Sequence, residues 1–213
     1  MKSVEEQLLS VVEQTPEKVA LISGEAEVTY VQLWENCLRV ACMLQKKYDL
    51  QKGDRVILSA SGNIEFAYTY FGVHLAGGIC VPIDPDTNQI RFNHIYASTK
   101  PVCVMGELHN VNTTTMPFAA VVDGAKKNKF VAPQMADIAD ILFTTGTTGA
   151  PKGVALSYAN ISAAARNINE YIGNTAEDVE LLALPVSHSF GLGRLRCSLS
   201  KGATVVMLGT FAN

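Results

Sequence analysis

The chain has 213 residues, of which 48% are hydrophobic, and a formal net charge of −3. A chain of this length and apolar content can bury a sizeable core, and its slightly negative charge offers no basic surface for a nucleic acid or an anionic membrane. The start of the chain, MKSVEEQ, is charged and lacks the apolar run of a signal peptide, and no stretch is as long as a membrane span. We therefore expect neither a nucleic-acid partner nor a membrane span.

Five cysteines are spread along the chain without any Cys-x-x-Cys spacing. An odd number and the lack of paired spacing argue against a disulfide framework and against a zinc site. Most of the five lie in apolar surroundings, which predicts buried free thiols. Together with the start of the chain, they indicate a cytosolic (cytoplasmic) protein. The cysteines are Cys37, Cys42, Cys80, Cys103 and Cys197.

Strand-like and helix-like segments alternate along the chain, which predicts an α/β fold around a largely parallel sheet. Thr29 and Gln32 have the spacing of a capping box, so a helix is expected to begin there, with an apolar stripe that reaches Tyr48. A second helix is expected from Ile64 until the glycine pair 77–78. Further helices are predicted at 88–98, 160–172 and 192–199, strands at 55–59, 101–105, 119–123, 138–143, 154–156, 180–184 and 203–208, and surface loops at 106–118 and 124–134.

The segment TTGTTGAPKG, residues 144–153, follows a short apolar run that is typical of a buried strand. Its glycines remove Cβ atoms, so the backbone can bend sharply and approach a ligand closely. Threonine hydroxyls and backbone N–H groups can then face one small volume, and such a concavity of donors binds phosphate. Lys152 adds a positive charge beside it, and Pro151 stiffens the chain. These residues predict a phosphate-binding loop.

Two familiar nucleotide-binding loops are excluded by their patterns. A Walker-type loop has Ser or Thr directly after its Gly-Lys pair, whereas here Pro151 precedes the lysine and Gly153 follows it. A dinucleotide fingerprint needs Gly-x-Gly-x-x-Gly after a strand, and the nearest candidate, residues 191–196, lacks the third glycine. A polar hairpin turn that binds nothing is the remaining alternative.

Residues 141–152 fit every position of the phosphate-loop pattern of the AMP-forming, acyl-adenylate-forming enzymes, and the chain resembles that superfamily. The superfamily includes acyl- and aryl-CoA synthetases, nonribosomal peptide synthetase adenylation domains and beetle luciferases. Three further segments, residues 27–33, 75–85 and 184–192, resemble other blocks of the family and follow one another in family order. The resemblance therefore covers nearly the whole chain, from about Gly24 to its end.

The resemblance implies that residues 1–213 are the N-terminal portion of the large domain of an AMP-forming acid–thiol ligase. The family continues with a block that contacts adenine and helps to hold Mg²⁺, a ribose-binding aspartate, and a small lid domain with a second lysine, none of which has a counterpart here. It implies ATP with Mg²⁺ as cofactor, with the metal ligands mostly outside this chain, and CoA or a carrier thiol as acceptor. This chain alone is then expected to be inactive. The alternative is a non-catalytic remnant or phosphate-binding module of the same fold.

The resemblance also implies roles for individual residues. Lys152 would screen charge on the phosphates during attack at the α-phosphorus. His188 would line the pocket for the substrate carboxylate, and a structural histidine is the alternative. These two are the candidate catalytic residues, and no metal ligand is assigned. The candidate phosphate-binding residues are Thr144, Thr145, Gly146, Thr147, Thr148, Gly149 and Lys152.

Residues after the phosphate-loop segment indicate which class of acid to expect as substrate. Amino-acid-activating members of the family usually carry Asp after a Phe in the block that follows the phosphate loop, where it pairs with the α-ammonium group, whereas here Gly191 follows Phe190. Because a buried ammonium without a partner is costly, we expect a plain fatty or aromatic carboxylic acid as substrate. His74 is expected to be structural. Arg194 and Arg196 could contact phosphate or CoA, but their segment is more simply interpreted as a helix start with solvated charges.

The last predicted strand, residues 203–208, is apolar on both faces, as a central parallel strand covered by helices would be. In the family, further strands and helices continue the same domain after this point. Without them, an open sheet edge and an apolar patch are expected. We therefore predict that the chain self-associates through this edge as a two-fold homodimer.

Overall fold

The computed structural model describes residues 2–118, 131–144 and 151–209. The predicted strand at 119–123 lies outside the described residues, as do residues 145–150 of the phosphate-loop segment. Six helices and nine strands are found within the described ranges. The helices are α1 (Val4–Gln14), α2 (Tyr30–Lys47), α3 (Ile64–Ala76), α4 (Gln89–Thr99), α5 (Tyr158–Ile172) and α6 (Ser189–Lys201), and the strands are β1 (Val19–Ser23), β2 (Ala26–Thr29), β3 (Arg55–Ser59), β4 (Ile79–Ile83), β5 (Cys103–Met105), β6 (Ile138–Phe143), β7 (Gly153–Ser157), β8 (Val179–Leu182) and β9 (Thr204–Met207).

The strands form two sheets, in the orders β2-β1-β9-β8 and β5-β3-β4-β6-β7. Most neighbouring strands run parallel, and the antiparallel pairs are β1 with β2 and β6 with β7. Helices alternate with these strands along the chain. The predicted α/β fold with largely parallel strands is confirmed, and the strands are divided between two sheets instead of one.

The two faces of the five-stranded sheet pack against different helices, because successive side chains of a strand point to opposite sides. Ile57 and Phe143 pack with Phe92 of α4. Leu58 and Leu142, each one position away, belong to the main core, which joins side chains of both sheets with α1, α2, α3 and α6. Strand β6 therefore has one face toward α4 and the other toward the centre of the molecule.

Local sequence signals explain where the first helices begin. The Thr29–Gln32 capping box is present at the start of α2, as predicted. The same reciprocal arrangement between Ser3 and Glu6 begins α1, a helix that the sequence analysis did not predict. Gly72 allows α3 to approach α2 closely, since a Cβ there would lie 2.4 Å from Cβ of Val40.

Strand β9 lies in the interior of its sheet, parallel to β1 on one side and to β8 on the other. This confirms the central position predicted for it. Strand β9 is not itself an open edge, because both of its backbone edges are paired. An edge of the sheet is formed instead by β8, where Val179 and Leu181 are 67% and 61% exposed. The homodimer stays a prediction.

The environment of the cysteines agrees with the prediction of buried free thiols. All five are free thiols, four of them buried and Cys103 half-buried. Burial raises the pKa of Cys80 to about 11 and that of Cys103 to about 12. Among the helices that the structure describes, none combines the length and the apolar character needed to cross a membrane.

Candidate functional site

The phosphate-loop segment connects two antiparallel strands. Strands β6 and β7 pair until Phe143 lies opposite Gly153, and one step further the amide of Thr144 donates to the carbonyl of Lys152 over 3.0 Å. Gly153 allows this pairing to be close, since a Cβ there would lie 3.0 Å from Cγ2 of Ile141 and 3.1 Å from the Phe143 ring. The predicted strands on either side of the segment are confirmed, and they bring its two ends together.

Helix α4 contacts both ends of the segment. Nη2 of Arg91 donates to the carbonyl of Phe143 at 3.3 Å and to that of Thr144 at 3.2 Å. One turn later, Nε2 of His94 donates to the carbonyl of Pro151 at 2.9 Å. The helix itself begins at Asn88, whose side-chain oxygen accepts from the Arg91 amide at 2.9 Å. A single helix is therefore hydrogen-bonded to the chain before and after residues 145–150.

A cleft of about 350 Å³ opens beside these contacts. It lies at the carboxyl end of the parallel strand β4, which is where open α/β sheets bind their ligands. Its walls come from the β4–α4 connection, from α4, from the end of β6 and from the segment before α6. The lining residues are Pro82, Ile83, Asp84, Asp86, Thr87, Asn88, Arg91, Phe143, Ser187 and His188.

The structure places the predicted residues at different distances from this cleft. His188 lines it, with an exposed side chain, and caps the start of α6 by accepting from the Leu192 amide at 3.0 Å through its carbonyl. Thr144 and Lys152 are exposed and lie just past the cleft wall, since Thr144 follows Phe143 and Lys152 precedes its partner Gly153. The remaining predicted phosphate ligands, Thr145, Gly146, Thr147, Thr148 and Gly149, lie outside the described residues.

The interpretation of Arg194 and Arg196 as solvated charges is wrong. Both lie in the middle of α6 and are paired. Arg194 makes a bidentate pair with Glu180 of β8. Arg196 is 4% exposed and donates from Nη1 to Oδ2 of Asp140 at 3.1 Å. Sequence reasoning missed these partners because they are distant in the chain, and neither arginine lines the cleft.

A buried cluster of charged side chains surrounds Asp140 on the inner face of β6. Besides Arg196, Asp140 accepts from the Tyr70 hydroxyl at 3.1 Å, and its Oδ1 lies 3.3 Å from Nε2 of His74. The other ring nitrogen of His74 lies 2.8 Å from Oε1 of Glu5 in α1, and both side chains are buried. Two carboxylates thus face one arginine and one histidine. The expectation that His74 is structural agrees with this position.

The electrostatics of this cluster favour a charged histidine. Burial alone lowers the pKa of His74, but the groups around it raise it more, among them Tyr158, Tyr70 and the hydrogen bond to Asp140. The net result is a pKa well above the ordinary value. A protonated His74 with Arg196 balances the charges of Glu5 and Asp140.

Within the described residues, His74, Cys80 and Asp140 have donor atoms that lie within 4.8 Å of one another, close enough for a metal ion. These atoms already have partners in the cluster. His74 contacts Asp140, and the Cys80 thiol donates to the carbonyl of Tyr70 at 3.4 Å. We therefore assign them to the buried ion cluster and not to a metal centre.

Sequence reasoning also missed Arg91 and His94. Their spacing of three residues in a predicted helix places them on one face, and this was a signal available in the sequence. What that face contacts depends on how α4 packs across the sheet, and no local pattern contains this information.

The profile of the AMP-binding enzyme family matches residues 8–213 of the chain. The chain is 28% identical over 210 residues to a 2-succinylbenzoate–CoA ligase of Bacillus velezensis, an alignment that covers 93% of this chain and 42% of the relative. It is also 28% identical over 165 residues to gramicidin S synthase 2 of Brevibacillus brevis, covering 75% of this chain and 4% of that protein. The chain thus spans about two fifths of the length of the CoA ligase it matches.

Solved structures share the fold. VinN in complex with 3-methylaspartate superposes with a TM-score of 0.88 at 24% identity, covering 97% of this chain and 62% of VinN. The N-terminal subdomain of Klebsiella oxytoca NpsA superposes with a TM-score of 0.89 at 20% identity, covering 100% of this chain and 56% of the NpsA chain. At these identities the match establishes the fold alone.

Proposed function

This chain belongs to the AMP-binding enzyme family, and we propose that its residues form the first part of the large domain of an AMP-forming carboxylic acid ligase. In the reaction, a carboxylate oxygen attacks the α-phosphorus of ATP, and the bond to the pyrophosphate leaving group breaks. A thiol such as CoA then attacks the acyl carbonyl, and AMP leaves. The observation that supports this function best is the hairpin of β6 and β7, which holds the two ends of the phosphate-loop segment beside the cleft.

We assign the phosphate contacts to the loop segment. The Thr144 hydroxyl, with hydroxyl and N–H groups of Thr145 through Gly149, would hold the β- and γ-phosphates of ATP with its Mg²⁺, whose protein ligands would come mostly from other parts of the enzyme. Lys152 supplies a positive charge that offsets the charge that develops at the phosphates. Its exposed position at the end of the hairpin leaves its side chain accessible to a bound nucleotide.

His188 is assigned to the acyl pocket because it lines the cleft. Gly191 bears on the substrate, since a Cβ there would lie 2.4 Å from the carbonyl oxygen of Pro185 and 2.8 Å from that of Leu184. An aspartate, which would pair with an α-ammonium group, does not fit at this position without a backbone shift. The proposed substrate is therefore a fatty or aromatic carboxylic acid that lacks this group, and the proposed acceptor is CoA or a carrier thiol.

Titration of the 213-residue chain with ATP and Mg²⁺, followed by NMR, tests the phosphate site. We expect the amide signals of Gly146, Thr147 and Gly149 to shift with about millimolar affinity, or near −4 kcal/mol, because adenine and ribose contacts are missing. Lys152→Ala should weaken binding roughly tenfold, about 1.4 kcal/mol, while Lys46→Ala, an exposed lysine on α2, should not. Unchanged signals at high ATP concentration would contradict the proposed site.

The second test concerns catalysis by this chain. We expect no acyl-adenylate from it, because these ligases need a lid domain to complete the site and exclude water. Pyrophosphate exchange that depends on a fatty, aryl or amino acid, above that of a heat-inactivated sample, would show that the chain is catalytically sufficient.

A further inference from the structure

We propose that Arg91 and His94 are positioning residues that hold the two ends of the phosphate-binding loop in place. Arg91 is bonded to the carbonyls of Phe143 and Thr144 before the loop, and His94 to the carbonyl of Pro151 after it. The inference rests on the proposed function, because it assigns the purpose of these contacts to phosphate binding at residues 144–149. Neither residue needs to touch the nucleotide to act in this way.

Among the described residues, the hydrogen bonds from Arg91 and His94 to the loop ends go to carbonyl groups. An anion is bound by N–H and hydroxyl donors, and it is repelled by carbonyl oxygens. Side chains that bind the carbonyls of Phe143, Thr144 and Pro151 fix these oxygens toward α4. These three carbonyls are thereby kept from facing a bound anion. A charged guanidinium makes the stronger contacts of the set, since hydrogen bonds from ionised donors are about twice as strong as neutral ones.

The helix that carries the two donors is itself fixed on the sheet. Phe92 and Ile95 are buried against the outer face of the five-stranded sheet, in the cluster that also contains Phe143. Arg91 and His94 precede these anchors by one position each, so their own position follows from the packing of α4. The donors are also spaced so that they reach opposite ends of the loop. A hairpin whose two ends are bonded to one rigid element cannot open without breaking those bonds.

If the loop is held in a binding-competent arrangement, loss of either contact lowers the fraction of molecules in that arrangement. The apparent dissociation constant rises by the inverse of that fraction. The same loss should open the end of the hairpin, where the Thr144 amide is bonded to Lys152. Amide hydrogen exchange at Thr144 therefore reports on the loop without any ligand.

Four variants of the chain test the proposal. Arg91→Met keeps the aliphatic stem and removes the donor, and His94→Leu removes the imidazole donor at similar volume. Arg91→Lys and His94→Gln keep a donor at each position. Two controls match them, Arg166→Met at an exposed arginine of α5 and Asn93→Ala on α4 itself. Each is measured by hydrogen exchange at Thr144 without ligand, by NMR titration with ATP and Mg²⁺, and by its thermal midpoint.

We expect Arg91→Met and His94→Leu to speed exchange at Thr144 and to weaken ATP binding, each roughly tenfold, with little change in the thermal midpoint. His94→Gln and the two controls should have the exchange rate and the ATP affinity of the wild type. Arg91→Lys should have values between those of the wild type and those of Arg91→Met. Exchange at the wild-type rate in both donor-deleting variants overturns the proposal. Weaker ATP binding by Arg91→Met at wild-type exchange also overturns it, because Arg91 would then contact the phosphates directly.

The design separates this proposal from the function it rests on. A wild-type chain that binds no ATP contradicts the phosphate site, whatever the exchange rates are. Normal ATP binding by the wild type, together with unchanged exchange and affinity in all four variants, leaves the phosphate site intact and refutes the positioning role. If one donor-deleting variant has a strongly lowered thermal midpoint, the other donor-deleting variant decides, because it removes a contact at the opposite end of the same loop.

Discussion

Strand β6 is held by helices in two different ways, one in its middle and one at its carboxyl end. In its middle, Asp140 is completely buried and bonded to charged groups of α3 and α6. At its carboxyl end, the exposed Thr144 and its neighbour Phe143 are bonded through neutral carbonyls to α4. The interior contacts join buried groups, while the outer contacts lie at the edge of the cleft. The same strand is therefore held by buried charged groups at one position and by carbonyl contacts at the cleft three residues later.

This difference in surroundings determines how much free energy each kind of contact contributes. Breaking a buried ion pair by removing one partner costs about 3–5 kcal/mol, because the remaining charge has no solvent to compensate it. A hydrogen bond from an ionised donor near the surface contributes about 1.5–3 kcal/mol at most, since water replaces it when it is lost. We expect changes around Asp140 to act mainly on folding, and changes around Thr144 to act mainly on the ligand.

The largest effect is expected from Arg196→Met. It leaves the buried carboxylates of Glu5 and Asp140 with His74 as the counter-charge that the described part of the chain places beside them. The free energy of unfolding should fall by about 3–5 kcal/mol, measured in urea. Arg166→Met, at an exposed ion pair, is the control and should change it by about 1 kcal/mol or less.

A double variant makes the same comparison sharper. Asp140→Leu combined with Arg196→Met removes one charge of each sign and leaves the His74–Glu5 pair balanced. Much of the stability lost in Arg196→Met should then return. If the double variant is instead less stable than both single variants, the cluster is held by packing and not by charge balance.

The sequence predicted the parts of this arrangement that depend on local patterns. The Thr29–Gln32 capping box predicted the start of α2. The alternation of apolar strand segments with segments of helical periodicity predicted the α/β fold. The apolar run before the phosphate-loop segment gave β6. The Ser3–Glu6 capping box carried an equally clear signal for α1, but the start of the chain was considered only as a possible signal peptide.

The contacts of the site could not be predicted in the same way. Asp140 stands inside an apolar run, so a partner for it is required by the cost of burying a lone charge. That partner, Arg196, is 56 residues further along the chain, and nothing in the local pattern of α6 distinguishes it from a solvated charge. Likewise, Arg91 and His94 share a helix face, yet only the packing of α4 across the sheet shows that this face meets the loop.

The pH dependence of stability tests the charged state of the cluster. Because the pKa of His74 in the folded protein lies well above its ordinary value of about 6.5, the folded state holds a proton that the unfolded state releases. The stabilisation is complete below about pH 6.5, and it is lost as the pH rises toward the folded pKa. The free energy of unfolding should fall between pH 6.5 and 8 by up to about 1.4 kcal/mol per pH unit.

His74→Gln isolates this contribution, because glutamine keeps a hydrogen-bonding side chain without a titrating group. The variant should be less stable than the wild type at pH 6, and the gap should narrow as the pH rises to 8. Cysteine ionisation in the unfolded chain acts equally on the wild type and the variant, so it cancels in the difference between them. A gap that stays constant across this range would mean that His74 is neutral in the folded protein.

The smallest effect on folding is expected at the outer end of β6. In Gly153→Ala, the new Cβ would lie 3.0 Å from Cγ2 of Ile141 and 3.1 Å from the Phe143 ring, so these side chains must shift by a few tenths of an ångström. Because Ile141 is half-buried and Phe143 is buried against α4, both side chains must adjust within their packing, and we expect a loss of about 1 kcal/mol, at the low end of the cost of overpacking. The shift acts directly on Phe143 and, through the pairing of β6 and β7, on the bond between Thr144 and Lys152. ATP binding should therefore weaken severalfold, about 1 kcal/mol.

Gly193→Ala in α6, where a Cβ meets nothing within 4 Å, is the matched control and should be neutral or slightly stabilising. A larger loss of folding stability than of ATP affinity in Gly153→Ala would show that the middle and the carboxyl end of β6 are not separated in the way that their surroundings suggest.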